Sequence, residues 1–394
     1  MKKTVSTILI SLLSFSISHA ARCEQTDSVA KSPVIGNFSI EAGLNASRII
    51  PTNSFLKDYS GNEVIVAPDV RAGFSFSPKS RYGQLYPNVR QGIGVSVNNI
   101  LPHSTLGCPT NVYLYQRVKI TGDGWAWIEG EWNFGMSAGW KKYDPASEIV
   151  NNAIGSRVNA MLGVGLSIVC RATDRWGLKA TVNAVHYSNG NTRLPNSGVN
   201  TVGVTIGAQY YFDPQADKPA PLPDVKFKRG FSYDVTAYGA TRRRIGLDSA
   251  DEPTVLKGSF GVAGLNFAAM YDLNRYFRAG LSADFQYDES ANLAAYRVDD
   301  TYGDDLRFYR PPFVEGFAAG LSLRAELTLP IFSVNVGLGR NIFAKGPDTR
   351  IFYQTLALKA YVWQGAFLQV GYQLCDFHLP NNLMLGLGYT FGKK

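Results

Sequence analysis

Apolar and polar residues alternate one by one along most of the chain. Phe38, Ile40, Ala42 and Leu44 are interleaved with Ser39, Glu41, Gly43 and Asn45, and Leu178, Ala180, Val182 and Ala184 with Lys179, Thr181 and Asn183. A period of two puts each set on one face of an extended strand. No segment keeps a helical period, so the sequence is all-β. Eight strands are predicted in the first half, at 37–49, 69–77, 89–98, 111–121, 125–142, 157–172, 177–188 and 200–212. Eight more are predicted at 231–241, 257–272, 276–288, 313–329, 332–342, 355–362, 367–375 and 382–391. Runs of about ten residues with aromatics near their ends fit strands that cross a membrane, apolar side to lipid and polar side within.

The connections follow the same logic. Those after odd strands, near 51–66, 100–110, 143–156 and 189–199, are long, as exterior loops of such barrels are. Those after even strands, at 121–124 and 173–176, are short. The stretch 78–88 is longer than this rule expects. Residues 204–212 and 385–391 both end a half in an alternating strand rich in aromatics, which points to a duplicated unit. Two tandem eight-stranded antiparallel transmembrane barrels are therefore expected, with one sixteen-stranded barrel as the alternative. Residues 21–213 would be the first barrel, 214–228 a stiff Pro-rich linker, and 229–394 the second. Residues 1–20 have the basic start, apolar stretch and small-residue Ser18-His19-Ala20 ending of a removable secretory leader. Arg22 argues against a lipid anchor on Cys23.

Composition changes this picture little. A net charge of +8 comes from scattered Lys and Arg, which with export argues against nucleic-acid binding. The cysteines Cys23, Cys108, Cys170 and Cys375 show no close-paired spacing, and no zinc, phosphate-loop or nucleotide motif is present. Glu129 and Glu131 share a polar face with Trp127 and are expected to fill the barrel in a network with Arg117, Lys119 and Lys179. Asp299, Asp300, Asp304 and Asp305 read as a solvated loop.

Candidate chemistry collects at one hairpin. His186 and Ser188 continue the apolar row of strand 177–188, and Asn200 is in phase with the apolar row of the next strand. Ester hydrolysis by a serine needs a base for its proton, a group to hold the imidazole tautomer, and donors for the oxyanion. Ser188 is the candidate nucleophile, His186 the base and Asn200 the orienting group. The backbone from Asn189 to Asn191 and the amide of Asn196 are candidate oxyanion or substrate-binding donors. A hairpin tip rich in Asn, Gly and Ser is usually only a polar turn. Its place on an apolar face suits a lipid substrate instead. The corresponding hairpin of the second half, with Asp376 and His378, has no His-x-Ser and reads as an exposed turn.

At His186-Tyr187-Ser188-Asn189 and Pro195-Asn196-Ser197-Gly198-Val199 the first half resembles the outer-membrane lipid A 3-O-deacylase (PagL-type) family. The resemblance implies an eight-stranded barrel that hydrolyses an ester-linked acyl chain of lipid A, a carboxylic ester hydrolase akin to acyloxyacyl hydrolases, with His186 as base, Ser188 as nucleophile, and Asn189 and Asn196 at the oxyanion hole. It implies a bacterial outer-membrane location with the site on the outer-leaflet side, and no cofactor. Asn200 stands where those enzymes carry glutamate. The same Asn makes the site similar to outer-membrane phospholipase A, which implies a phospholipid substrate and a calcium requirement. The third reading is a non-enzymatic outer-membrane barrel or porin.

Overall fold

The computed structural model describes residues 35–60, 64–100, 106–121, 124–147, 151–214, 227–377 and 379–392. The leader, Cys23, nearly all of the Pro-rich linker, His378 and the Asp304 side chain lie outside the described residues.

The first barrel is built from β1 (Ile35–Ile50), β2 (Val64–Phe76), β3 (Val89–Val97), β4 (Gly107–Lys119), β5 (Ala126–Trp140), β6 (Val158–Arg171), β7 (Trp176–Ser188) and β8 (Val199–Tyr211). Each strand pairs antiparallel with the next, and β1 pairs with both β2 and β8, which closes the ring. The second barrel comprises β9 (Phe231–Arg242), β10 (Phe260–Asp272), β11 (Phe277–Asp288), β12 (Phe317–Thr328), β13 (Phe332–Ala344), β14 (Phe352–Trp363), β15 (Ala366–Cys375) and β16 (Leu379–Phe391). It closes through β9 and β16. The expected pair of eight-stranded barrels is what forms, and the single sixteen-stranded ring is not.

Both barrels are inside-out compared with a soluble protein. Leu178, Val182, Val202, Val204 and Ile206 lie exposed on the outer surface, and Ile206 is 69% exposed. Their polar neighbours Lys179, Thr181, Thr201 and Thr205 are buried. A belt of exposed aliphatic side chains around a closed ring is stable when lipid covers it. Each barrel strand is laddered to a neighbour on both sides, which is how a closed ring satisfies its backbone in hydrocarbon.

The buried polar face is held by ion pairs. In the first barrel Arg71 bonds Asp69 and Glu131, each at 2.6 Å, Lys179 bonds Glu131 at 2.9 Å and Glu41 at 3.3 Å, and Arg117 bonds Glu41 at 2.8 Å. The expected network is present. Lys119 instead has its ammonium 5.2 Å from the centre of the Trp127 ring. In the second barrel Asp234, Arg278, Glu326 and Lys359 make a closed ring of four contacts between 2.7 and 3.0 Å. Removing one partner of such a buried pair costs about 3–5 kcal/mol, because the other charge stays buried.

Two local departures from strict alternation have physical causes. Strict alternation would put Trp140 in the outward row with Ala138, yet it is 2% exposed and its indole N–H donates to Ser137 Oγ at 2.8 Å. Gly139, at φ 109°, makes a bulge opposite Cys108 and Pro109 that flips the phase. The overlong connection 78–88 contains a helical turn, Arg81–Leu85, whose Gly83 N–H is capped by Ser80 Oγ at 3.0 Å.

Candidate active site

Tyr187 fixes the phase of the site. Its side chain points inward, 3% exposed, packs at a tilt with its ring centre 5.1 Å from that of Trp140, and its hydroxyl accepts from Asn98 Nδ2 at 3.2 Å. With Ile49, Leu56, Ile65, Ile154 and Val199 it belongs to an apolar plug that fills the long-loop end of the first barrel. His186 and Ser188 flank Tyr187 on the same strand, so both face outward. His186 is exposed and Ser188 half-buried, at the end of the outer aliphatic row.

His186 and Asn200 are direct cross-strand partners on β7 and β8. Their side chains meet at 2.7 Å between Nδ1 and Oδ1. With the carboxamide oxygen accepting, Nδ1 carries the proton and Nε2 presents its lone pair. Ser188 Oγ has no hydrogen bond to a described residue, so the serine–imidazole link is open in this unliganded chain. Closure of such a contact on substrate binding is common.

The loop 189–198 shapes the other side. The Asn189 N–H donates to Asn196 Oδ1 at 3.1 Å, and Asn189 Oδ1 accepts from the Arg193 N–H at 3.3 Å. The Asn189 N–H, expected to face an oxyanion, is thus engaged within the loop. Asn191 sits in the left-handed region at φ 64° and takes part in neither the His186–Asn200 nor the Asn189–Asn196 bond. Gly198 is at φ 70°, and a Cβ there would lie 2.8 Å from His186 Cε1. Only glycine lets the loop pass so close to the imidazole.

Residues that the alternation could not reveal hold this loop down. Asn53 Nδ2 donates to Ser197 Oγ at 3.0 Å, Thr52 Oγ1 donates to Gly198 O at 3.4 Å, and Ile154 bridges Asn196. Two loops therefore converge on 195–198. Among the described residues no group of three His, Cys, Asp or Glu is placed to hold a metal ion.

Fold and site together define two membrane-spanning β-barrels, the first of which carries an imidazole–carboxamide pair and a serine on its outer, aliphatic face. Residues 125–209 match the family described as lipid A 3-O-deacylase (PagL), and residues 231–394 match acyloxyacyl hydrolase, C-terminal domain. The first of these matches falls in the first barrel and the second in the second barrel, and each half is similar to the family it matches. No curated protein matches it. Among solved structures, Neisserial surface protein A is similar at 10% identity, covering 44% of this chain and 97% of that one with a TM-score of 0.33. The outer membrane enzyme PagL is similar at 14% identity, with 43% and 97% covered and a TM-score of 0.30. Ail of Yersinia pestis is similar at 14%, with 45% and 99% covered and 0.24.

Proposed function

We propose that the first barrel hydrolyses an ester-linked acyl chain of lipid A in the outer leaflet of the outer membrane. Ser188 Oγ attacks the acyl carbonyl while His186 Nε2 takes its proton. The same imidazole then protonates the departing sugar oxygen, leaving an acyl-enzyme that water, activated by His186, releases as a fatty acid. Asn200 holds the tautomer but, being neutral, stabilises the transient imidazolium less than a carboxylate would. The Asn196 Nδ2 group and the backbone N–H groups of Gly190 and Asn191 are the donors proposed for the oxyanion and for positioning substrate, the Asn189 N–H being held by Asn196 Oδ1.

The observation that carries this reading is the 2.7 Å bond between His186 and Asn200 on the lipid-facing side, with Ser188 two residues along on the same face. An acid-base pair exposed among aliphatic side chains serves no packing purpose there. Asn200 itself favours one second reading, a calcium-dependent phospholipase A. Purified full-length protein, given lipid A and phospholipid separately with calcium or a chelator, distinguishes them by mass spectrometry of the products. The expected result is lipid A lighter by one ester-linked acyl chain with or without calcium, and no change with Ser188→Ala. Calcium-dependent lysophospholipid would establish the second reading, and intact lipids in every arm a barrel without enzymatic activity.

A further inference from the structure

The second barrel carries a feature that the esterase reading does not use. Its long loops 243–259 and 289–316 enclose a cavity of about 490 Å³. The walls carry the rings of Phe260, Tyr287, Phe308 and Tyr309 and three leucines, with Lys257 and Arg310 at the mouth. The size is that of a small-molecule site, and its lining mixes apolar rings with polar and charged groups in equal measure.

The loops that form it are tied together. The Asp248 carboxylate accepts from the backbone N–H groups of Ala250, Glu252 and Gly303 at 2.9–3.0 Å, and these donors, Gly303 first, hold its carboxyl below the usual carboxylate range. Ser249 N–H donates to Thr301 O at 3.0 Å, and Arg297 Nη1 donates to Asp248 O at 2.5 Å. Arg297 also bridges Phe308, and Tyr309 N–H donates to Tyr296 O at 2.8 Å, which sets two of the wall rings.

The charges in the cavity are unbalanced. Asp288 is neutralised by Arg242 at 2.5 Å, while Glu289 accepts only from the neutral Gly261 N–H at 2.7 Å and keeps its charge, so the two cations outnumber the one remaining acid. Neither Lys257 nor Arg310 has a side-chain partner among the described residues. Two exposed cations beside aromatic rings fit an anion borne on a ring with an apolar face.

We propose that this cavity binds a phosphate ester on a carbohydrate ring, whether the headgroup of a phosphorylated glycolipid or a soluble sugar phosphate. The site lies wholly in the second barrel and needs no catalysis in the first. Binding by the full-length protein in neutral detergent micelles is measured by titration calorimetry with glucose 1-phosphate, inorganic phosphate, and lipopolysaccharide before and after enzymatic dephosphorylation. Lys257→Ala and Arg310→Ala, both exposed, are each expected to weaken binding of the phosphorylated probes about tenfold. Glucose 1-phosphate carries no acyl ester and reads the second barrel alone, so loss of the esterase reading would leave this one standing. Tight lipopolysaccharide binding with weak glucose 1-phosphate binding identifies the lipid source, and comparable affinities identify the soluble one. Unchanged affinity in the double variant, dephosphorylated lipopolysaccharide bound as tightly as the native form, or inorganic phosphate bound as tightly as the sugar phosphate would each overturn the proposal.

Discussion

The two barrels solve one packing problem and differ at one rim. Each fills its lumen with buried ion pairs, and each draws an acid from its first strand, Glu41 in one and Asp234 in the other. The cations come from different places: Lys179 from the seventh strand of the first barrel, Lys359 from the sixth strand of the second. Interior charge is thus interchangeable, provided every buried charge finds a partner. The rim is not. Between its seventh and eighth strands the first barrel has the loop 189–198, room enough to wrap an imidazole. The matching connection of the second runs only from Cys375 to Leu379, with Asp376 and Phe377 in the left-handed region. The second barrel places its long loops elsewhere, after its first and third strands. The scaffold is shared, and function follows the loops it can carry.

The largest expected effect breaks the shared part of the comparison. Glu326→Ala leaves Arg278 and Lys359 buried with one partner fewer and should cost about 3–5 kcal/mol, seen as loss of heat-resistant migration and a lower unfolding temperature. If the second barrel tolerates it with no change, the ion ring is not what holds the lumen together. The first barrel should keep its activity, if it has assembled, because none of its site residues is altered.

Next come the residues that make the rims different. Asn200→Ala removes the acceptor that fixes the imidazole tautomer, and deacylation should fall about 100-fold with assembly unchanged. A drop of less than threefold would mean that the carboxamide plays no orienting role. Gly198→Ala should have a smaller effect, about tenfold on rate and about 1–2 kcal/mol on stability, since it forces a Cβ against His186 and strains a left-handed residue. Normal kinetics in that variant would show that the loop yields without moving the ring.

Much of this was legible in the chain because lipid-facing strands impose a period of two with little exception. All sixteen strands are where alternation puts them, and the outward phase of His186 and Ser188 follows from the inward phase of Tyr187. Trp140 breaks the alternation because one glycine bulge reverses the phase, and alternation cannot foresee a bulge. Glu129, Glu131, Arg117 and Lys179 could be read as interior, but Glu41, Asp69 and Arg71 joined them only through the stagger between strands distant in sequence. Asn53 and Thr52 were invisible for another reason. Their contacts to Ser197 and Gly198 depend on how loops fold over the rim, which no periodic pattern encodes.

On the proposed reading Ser188 is a nucleophile made reactive by His186. Mass mapping after exposure of the full-length protein to a long-chain alkyl phosphonate ester tests it most directly. The account predicts one covalent adduct on Ser188 in the wild type, none in His186→Ala, and none on the second barrel. An unlabelled Ser188, or equal labelling without the histidine, would contradict it.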